Sequence, residues 1–413
     1  MQVKIDGITH KGEGVGRIDG KATFIPLAIP GETVELEIVQ ERSKFKRGRL
    51  KQVLYPSPDR VEPECPHFPT CGGCHFQHVS YTRQLELKRQ IVQDNLQRIA
   101  GITADVKPVM ASSKPWNYRN KVTWHVQGGE LGYYQEGSHE LLPISTCHII
   151  SQPLQAISTE LRNFLKQHPM AGSGEITVRY SDTTGDSMLV LSGFTDISDA
   201  WQNMKSLTAN GVYIKDGKTK VLWGSEYWQE KLGTMEFMVP AASFFQVNNS
   251  QAEQIIDCLT SELPLNKEMH FVDLYCGVGA ITLNLSTRVK KVTGIEEFAP
   301  SIEYARLNTE QNGIENAVFY CGTCEIVFPE LPEPMDVIVV DPPRAGCHPD
   351  VIKAIVQQEP EHLAYVSCNP GTLARDLGQL KESGYTPTLV QPIDMFPMTH
   401  HVECVTLMSK VEK

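Results

Sequence analysis

The most constraining feature of this chain is a regular alternation of short apolar segments and helix-like segments over residues 241–413. Strands are predicted, in chain order, at Met269–Leu274, Lys291–Ile295, Ala317–Tyr320, Val337–Val340, Leu363–Val366 and Val402–Met408. Helices fit between them, such as Pro300–Asn312 and Leu373–Ser383. Strands that alternate with helices are typical of a parallel sheet covered on both faces. The pattern therefore predicts an α/β fold with a doubly wound, Rossmann-like sheet in this part of the chain.

The first 55 residues have a different pattern, in which short strands are broken by glycines. Thr33–Val39 alternates polar and apolar side chains, as a half-buried strand does. We therefore predict a small β-barrel for residues 1–55. A linker with several prolines follows, and residues 56–240 contain mixed strands and helices, which predict an α+β central domain.

Basic residues are concentrated in the predicted barrel. The whole chain has a formal net charge of −11, whereas residues 1–60 carry eleven Lys and Arg against eight Asp and Glu. Arg42–Lys51 contains six basic side chains and one phenylalanine. Such a segment can bind the phosphates of a nucleic acid, and it can equally be a solvated pair of basic strands.

The composition also bears on the compartment. The chain has no continuous apolar run of about eighteen residues, and Met1–Asp6 has no apolar signal core. We therefore expect a cytoplasmic protein that does not span a membrane. The chain contains eleven cysteines, an odd number, so a disulfide framework is not expected. Metal binding or catalysis better explains those cysteines that cluster.

A glycine-containing loop follows the first predicted strand of the doubly wound sheet. Its segment Asp273–Gly279 reads DLYCGVG, and glycine allows the backbone to approach a ligand closely. Glu296 ends the next strand, nineteen residues after Gly277, where a carboxylate can accept hydrogen bonds from ribose hydroxyls. Thr282 stands where a dinucleotide motif has its third glycine. The combination favours S-adenosylmethionine, which has no pyrophosphate, over a dinucleotide.

Two further polar motifs follow predicted strands of the same sheet. Asp341–Arg344 reads DPPR, and Asp341 could accept a hydrogen bond from an amine or a nucleobase edge. Ser367–Pro370 reads SCNP, and its thiol, Cys368, could be a nucleophile. Taken alone, Cys368 could equally be a core cysteine, because free cysteine is often buried.

A cysteine cluster lies at the start of the central domain. Cys65, Cys71 and Cys74 are spaced as Cys-x5-Cys-x2-Cys, a strong signal for a metal site. Cys147 is a candidate fourth ligand. Zinc and a [4Fe–4S] cluster both accept four cysteines, and the spacing does not choose between them.

These motifs together resemble known families. The barrel segment resembles a TRAM domain, a small barrel appended to RNA-modifying enzymes, through glycine and proline positions over residues 12–32. Nearly the whole chain resembles the RNA uridine-5-methyltransferases that use S-adenosylmethionine and an iron–sulfur cluster, and most closely those that act on 23S rRNA. The motifs that carry this resemblance are Phe244–Asn248, Asp273–Gly277, Asp341–Arg344, Ser367–Pro370 and His401–Glu403.

The resemblance implies a role for each matching residue. It implies that Cys368 is the catalytic nucleophile and Glu403 the general base. The implied cofactor contacts are Gln246, Tyr275, Glu296 and Asp341. The implied ligands of a [4Fe–4S] cluster are Cys65, Cys71, Cys74 and Cys147. Ala280 and Thr323 depart from the family pattern at positions where polar or acidic cofactor contacts are common, so the contacts to the adenine edge are less secure than the ribose contact.

The resemblance predicts a specific chemistry. Addition of the Cys368 thiolate to C6 of uracil makes C5 nucleophilic, C5 takes the methyl group, and Glu403 removes the C5 proton so that the thiolate leaves. His400 and His401 are alternative bases. A uracil in folded RNA must first be unstacked. The candidate stacking partners are Phe244, Phe245 and Tyr118, which could also be core residues.

The expected partner is RNA, and 23S rRNA is favoured because the TRAM-like barrel occurs with the cysteine cluster. A uridine in the T-loop of tRNA is the alternative target, and no obligate protein partner is inferred. Two other classes compete with this function. An adenine amino-methyltransferase would share the DPPR motif without needing Cys368 or Glu403, and a non-enzymatic iron–sulfur RNA-binding protein would not bind S-adenosylmethionine.

Overall fold

The computed structural model describes residues 1–168, 172–332 and 334–410. The first 55 residues form a six-stranded sheet, with the strands in the spatial order β1-β5-β6-β4-β3-β2. These strands are β1 (Gln2–Lys4), β2 (Gly7–Ile8), β3 (Gly14–Ile18), β4 (Lys21–Ile25), β5 (Thr33–Glu41) and β6 (Phe45–Tyr55). Gly14 and Gly16 are necessary in β3, since a Cβ at either position would lie 2.6 Å from the backbone oxygen of Ala28 or Lys4.

The basic segment predicted in this region lies on β6 and on the turn before it. Most of its cations are paired with carboxylates of neighbouring strands: Lys46 with Asp19 at 2.7 Å and Arg49 with Glu37 at 2.9 Å. Arg47 pairs with Glu13. The pairing favours the solvated strand pair over a phosphate site made of all six cations.

The central region is built on a seven-stranded sheet in the order β13-β12-β11-β10-β7-β8-β9. Its strands are β7 (Lys121–Gln127), β8 (Glu130–Tyr134), β9 (Leu141–Pro143), β10 (Ser173–Tyr180), β11 (Ser187–Ser192), β12 (Asn210–Lys215) and β13 (Lys218–Trp223). Helix α2 (Gln152–Gln167) and a 3-10 helix (Asp199–Ser206) cover one face, where Trp124 and Trp201 are fully buried. The opposite face is covered only in part.

A β-hairpin and a helix connect this region to the last sheet. The hairpin consists of β14 (Tyr227–Leu232) and β15 (Met235–Pro240), and α3 (Asn249–Glu262) follows it. Trp228 of the hairpin shares one hydrophobic core with Met188 of β11 and Phe271 of the last sheet. The hairpin therefore joins the two sheets through continuous apolar packing.

The last sheet has seven strands in the order β18-β17-β16-β19-β20-β22-β21. They are β16 (His270–Leu274), β17 (Lys291–Glu296), β18 (Ala317–Cys321), β19 (Val337–Val340), β20 (His362–Ser367), β21 (Tyr385–Ile393) and β22 (Glu403–Lys410). The helices between them are α4 (Ala280–Ser286), α5 (Ala299–Gln311), α6 (Cys324–Val327), α7 (Pro349–Gln358) and α8 (Pro370–Glu382), with a short 3-10 helix at Phe328–Glu330. The sheet confirms the predicted doubly wound α/β fold.

The direction of the last strand differs from the prediction. The residues predicted as the last parallel strand form β22, which runs antiparallel to both β20 and β21. The sheet is therefore mixed, with parallel strands throughout except at β22. The strand β21, which has no counterpart among the predicted strands, supplies the second antiparallel neighbour.

The long helix α1 (Tyr81–Ala100) packs against the last sheet rather than against the central one. Its residues Val92 and Leu96 belong to the same buried cluster as Leu377 of α8. Lys88, buried in α1, forms an ion pair of 2.5 Å with the buried Asp394 just after β21.

Among the described residues, no helix is long and apolar enough to cross a membrane.

Candidate active site

A pocket opens at the carboxyl ends of the parallel strands β16 and β19. Its lining includes Gln246, Asp273, Tyr275, Gly277, Ala280 and Asp341. The loop after β16 bends sharply, because Tyr275, Gly277 and Gly279 all have positive φ angles, of 67°, 54° and 86°. A positive φ is uncommon for tyrosine and strains its backbone. The loop thereby brings backbone groups to the pocket wall, as the glycines in the sequence predicted.

Asp273 is the most buried acid of this pocket. The Thr282 hydroxyl donates a hydrogen bond of 2.5 Å to its Oδ2, while its Oδ1 is buried with no partner among the described residues. Burial raises the pKa of the Asp273 carboxyl to about 7. An unpaired buried oxygen is costly, so a ligand donor would stabilise it. Sequence analysis did not single out Asp273 as a site residue, although it is the first residue of the glycine-containing segment.

Glu296 ends β17 next to the glycine loop. Its Oε2 accepts a hydrogen bond of 3.2 Å from the Gly277 N–H, and its Oε1 accepts one of 2.9 Å from the Phe298 N–H. These bonds fix a half-buried carboxylate at the end of the strand neighbouring β16. The position agrees with the expected contact to ribose hydroxyls.

Gln246 and the aromatic residues before it form the other wall. Phe244 lines the pocket and is 67 % exposed, whereas Phe245 and Tyr118 are buried. The Tyr118 hydroxyl donates to the Pro397 carbonyl at 3.1 Å. Of the three candidate stacking residues, only Phe244 is accessible to a base.

The two positions that depart from the family pattern differ in their placement. Ala280 lines the pocket with a methyl group, so it offers no polar contact there. Thr323 is outside that lining, and its Oγ1 is buried with no partner among the described residues.

Cys368 and Glu403 are brought together by the antiparallel pairing of β20 and β22. Ser367 pairs with Cys404, so the residue after β20 faces the first residue of β22. Burial and the carboxylates of Glu403 and Asp341 raise the pKa of the Cys368 thiol to about 11. Burial and Asp341 raise the pKa of Glu403 well above its usual value. Burial raises the pKa of Asp341 to about 7. The thiol, the buried Glu403 and the pocket carboxylate of Asp341 therefore form one electrostatic group.

Arg344 supplies the positive charge of this group. Its positive charge lowers the pKa of both Cys368 and Glu403, and its Nη2 lies 3.4 Å from Nε2 of His401. The Arg344 carbonyl accepts hydrogen bonds from the side chains of Asn369 and Thr372, at 3.0 and 3.3 Å. Sequence analysis gave Arg344 no role, although it is the fourth residue of DPPR.

The alternative bases His400 and His401 lie near this group but are poorly suited to accept a proton. Burial lowers the pKa of His400 to about 2 and that of His401 to about 3. The ring of His400 lies 4.2 Å from those of His75 and His401. Glu403 is therefore the better candidate for the general base.

The four predicted cysteine ligands line a second pocket. Cys65, Cys71, Cys74 and Cys147 surround it. Burial raises the pKa of Cys71 to about 11 and that of Cys74 to about 12. The four thiols thus converge on one desolvated space. In the described ranges, however, no group of three or more His, Cys, Asp or Glu side chains has the geometry to hold a single metal ion.

Fold and site together define a class. The doubly wound sheet, the glycine loop at the end of its first strand and the acidic residue at the end of the second are those of a methyltransferase that uses S-adenosylmethionine. Residues 80–325 and 333–411 match the model of the tRNA (uracil-5-)-methyltransferase family, and the chain belongs to that family. Residues 1–51 match the TRAM domain.

Curated relatives and a solved structure agree with this assignment. The chain is 38 % identical to an RNA methyltransferase of Halalkalibacterium halodurans, covering 99 % of this chain and 96 % of the relative. It is 36 % identical to an RNA methyltransferase of Bacillus cereus, covering 100 % and 97 %. The crystal structure of the Pyrococcus abyssi tRNA (uracil-54, C5)-methyltransferase in complex with S-adenosyl-L-homocysteine is 26 % identical, with a TM-score of 0.78 and coverage of 99 % and 100 %.

Proposed function

We propose that this RNA methyltransferase transfers a methyl group from S-adenosylmethionine to C5 of one uridine through a transient covalent bond between Cys368 and the RNA. The observation that carries the proposal is the position of Cys368 and Glu403 on opposing strand ends. Both groups interact with Asp341, which lines the cofactor pocket.

The site residues divide the chemistry. Cys368 forms a bond to C6 of uracil, and the C5–C6 electron pair becomes available at C5. S-adenosylmethionine supplies the methyl group that C5 takes. Glu403 then removes the C5 proton, the double bond re-forms and the Cys368 thiolate leaves. Arg344 stabilises the thiolate before attack and after release, because its positive charge lowers the pKa of the thiol.

The cofactor contacts follow from the same pocket. We propose that Glu296 accepts hydrogen bonds from the ribose and that Asp341, Gln246 and Tyr275 contact the rest of S-adenosylmethionine. Asp273 joins this set, since its free Oδ1 can accept a hydrogen bond. The exposed ring of Phe244 stacks on a base of the RNA.

Two substitutions test the covalent mechanism. Cys368→Ala should abolish methyl transfer to RNA and the adduct as well, because the bond to C6 cannot form. Glu403→Gln should let a protein–RNA adduct accumulate, since the C5 proton stays in place. The adduct is measured on a denaturing gel with labelled RNA. Full activity of Cys368→Ala would refute the mechanism.

We further propose that Cys65, Cys71, Cys74 and Cys147 hold a [4Fe–4S] cluster. The proposal is supported by the four cysteines that line one pocket, since four thiolates are the ligand set of a [4Fe–4S] cluster. Methyl transfer from S-adenosylmethionine needs no electron, so the cluster would stabilise the loop or the RNA interface. Absorbance near 400 nm in anaerobically purified protein is expected. A colourless protein with stoichiometric zinc would contradict the cluster.

The target that we propose is a uridine in 23S rRNA, in the cytoplasm, on the basis of the TRAM domain and the cysteine pocket. A T-loop uridine of tRNA is the second candidate, and the fold shared with the Pyrococcus abyssi tRNA enzyme favours it. Mapping of 5-methyluridine in RNA from a deletion strain separates the two. Loss from tRNA with unchanged rRNA would overturn the first choice.

The three parts of the chain take separate roles in this proposal. Residues 1–55 contact RNA through the TRAM barrel, residues 56–240 carry the cysteine loop and recognise RNA, and residues 241–413 catalyse methyl transfer. The long helix α1 belongs to the middle part in sequence but packs on the catalytic sheet.

A further inference from the structure

The central sheet has one face that is buried at one end and open at the other. Near β11 and β12 this face packs on the hairpin, where Met188 and Val212 share a core with Trp228. Towards β7 and β8 it is half-exposed. We call this region the open face; it consists of Lys121, Thr123, His125, Tyr134 and Thr177.

Strand register places the side chains of the open face on one side of the sheet. On β7 the half-exposed Lys121, Thr123 and His125 alternate with buried residues that face α2. Thr123 pairs with Thr177 of β10, and their hydroxyls are 2.8 Å apart. The face is therefore an organised surface of ladder neighbours.

Aromatic rings are stacked at the far end of this face. The rings of His125 and Tyr134 lie 4.0 Å apart at an angle of 19°. His139, which is exposed, contacts the edge of Tyr134 at 5.4 Å. Exposed planar rings are the groups on which unpaired nucleic-acid bases stack, whatever their sequence.

Positive charge is concentrated at the near end. Lys121 pairs with Arg179 across the ladder, and Arg119 precedes it by two residues. Glu175 is the acidic group that opposes these charges, and burial together with the two arginines lowers the pKa of Lys121 to about 8. Lys121 is half-buried and Arg179 lies buried beside it. An added anion such as a phosphate at Lys121 would offset the repulsion between these cations.

The open face is continuous with the entrance of the cofactor pocket. The Arg179 guanidinium donates a hydrogen bond of 2.7 Å to the Ser243 carbonyl, and Phe244 is the next residue. The Asn120 side chain donates to the Gln246 carbonyl at 3.1 Å. A strand that leaves the base-stacking position at Phe244 therefore meets Lys121 first and the ring pair afterwards.

We propose that the open face binds the unpaired RNA strand beside the target uridine, with Lys121 on a phosphate and His125 and Tyr134 stacked on a base. The inference rests on the proposed function and adds the substrate class to it, which is a uridine flanked by unpaired nucleotides. The alternative is that this face binds a protein partner, and the RNA-binding test distinguishes the two.

The test uses the full chain and a fluorescently labelled oligouridylate of about twelve nucleotides. Its dissociation constant is measured by anisotropy over a range of salt concentrations. Tyr134→Leu should weaken binding by about tenfold, because a stacked base is lost. Lys121→Met should reduce the slope of log Kd against log salt by about 0.7, the value for one phosphate contact on a single strand.

Matched controls separate this inference from the proposed function. Lys220→Met removes an exposed lysine from β13 at the far edge of the same sheet and should change neither value. S-adenosyl-L-homocysteine binding, measured by calorimetry, should be equal in all variants and reports that each is folded. Where a variant loses that binding, Lys121→Gln or Tyr134→Met replaces it. Tyr134→Phe keeps the ring and is the control that should bind RNA as the unmodified chain does.

The outcomes are distinct. Unchanged RNA binding in folded Lys121→Met and Tyr134→Leu would overturn the open face as an RNA site, as would tighter binding of a duplex than of the single strand by the unmodified chain. Failure of the unmodified chain to methylate any RNA would overturn the proposed function, while the binding measurements would still decide the role of the open face.

Discussion

Cys368 lies in an environment that disfavours its ionisation. Burial and the Glu403 carboxylate raise the pKa of the thiol to about 11, and the Arg344 guanidinium partly opposes them. The free enzyme therefore keeps most of the thiol protonated at neutral pH. A protonated thiol reacts slowly with electrophiles, and the fraction of thiolate depends on the charges of Glu403 and Arg344.

The charge at position 403 should control the reactivity of this thiol. Glu403→Gln should lower the pKa of Cys368, because a carboxylate that raises it is removed, and should speed alkylation at a given pH below that pKa. Arg344→Gln should have the opposite effect. Iodoacetamide labelling of the Cys368 peptide across pH, followed by mass spectrometry, measures this. Labelling of exposed Cys321 is the internal control, and slower labelling in Glu403→Gln would contradict the assignment.

Asp273 should make the stability of the protein depend on pH. Its pKa rises from 3.8 to about 7 on folding, so the folded state retains a proton that the unfolded state loses between these values. Stability from this group is therefore highest below about pH 4 and falls as pH rises to about 7. Asp273→Asn removes the effect and should be stabilised relative to the unmodified chain by about 4 kcal/mol at pH 8.

Urea unfolding at pH 4.5 and pH 8 measures the effect of Asp273→Asn. Asp350→Asn is the control, because the exposed Asp350 has a lowered pKa beside Lys353 and its loss should be slightly destabilising at pH 8. A stability difference for Asp273→Asn that does not grow with pH would refute the burial of a titrating carboxyl.

Part of the candidate site could be predicted from the residue types alone. The polar motifs at strand ends predicted Asp341, Glu296 and Cys368, because the carboxyl ends of parallel strands meet at one edge. The pattern could not separate Phe244 from Phe245, since both are adjacent aromatics and only tertiary packing buries one of them. Arg344 was missed for a similar reason, because its contact with Cys368 joins two separate strand ends.

At the scale of the elements, the register between β20 and β22 determines how the proposed nucleophile and general base are placed. Glu403 is the first residue of β22, and Cys368 follows the last residue of β20. Because the two strands pair antiparallel, the start of β22 lies beside the end of β20. The apolar pattern predicted both strands but carried no information on direction. Strand β21 was not predicted because Pro387 and Pro392 interrupt it, and prolines argue against a central strand. Its position at the sheet edge, with an irregular register near Pro387, explains why they are tolerated.

The ion pair between α1 and the segment after β21 should be important for stability. Lys88→Met should lower the free energy of unfolding by about 3–5 kcal/mol, because it leaves the Asp394 carboxylate buried without its cation. The Tyr81 hydroxyl, which donates to Asp394 at 2.8 Å, compensates only in part. Chemical denaturation measures the loss.

Lys353→Met serves as the matched control for Lys88→Met. Lys353 is 71 % exposed in its ion pair with Asp350, and exposed pairs contribute about 0–1 kcal/mol. Equal losses in the two variants would contradict the assigned difference in burial.

At the scale of the whole molecule, the cysteine loop is attached to both neighbouring regions. Gly72 N–H donates to the Tyr134 carbonyl at 3.2 Å, and His75 N–H donates to the Met398 carbonyl at 2.9 Å. The loop therefore connects β8 of the central sheet to the segment that leads to Glu403. The spacing of the cysteines predicted a shared site, while these tertiary attachments join segments more than 50 residues apart and have no local signature.

Disruption of the cysteine site should consequently lower the stability of the protein. Cys71→Ser should reduce bound iron and lower the melting temperature by about 5 °C, because it removes one of the four ligands of the proposed cluster. Iron analysis and thermal unfolding under anaerobic conditions measure both. Cys321→Ser, at an exposed cysteine outside that pocket, should change neither. Normal iron content in Cys71→Ser would contradict its role as a ligand.

The order of the strands has a consequence for how the enzyme matures. Strand β22 follows β20 and β21 along the chain but lies between them in the sheet. It is also the last strand along the chain, so we expect Glu403, the proposed general base, to reach the Cys368 thiol in a late step of folding. A newly made chain would thus acquire the nucleotide-binding pocket before it acquires catalytic competence. Pulse-labelled hydrogen exchange during refolding should find the amides of β22 protected after those of β16 and β19.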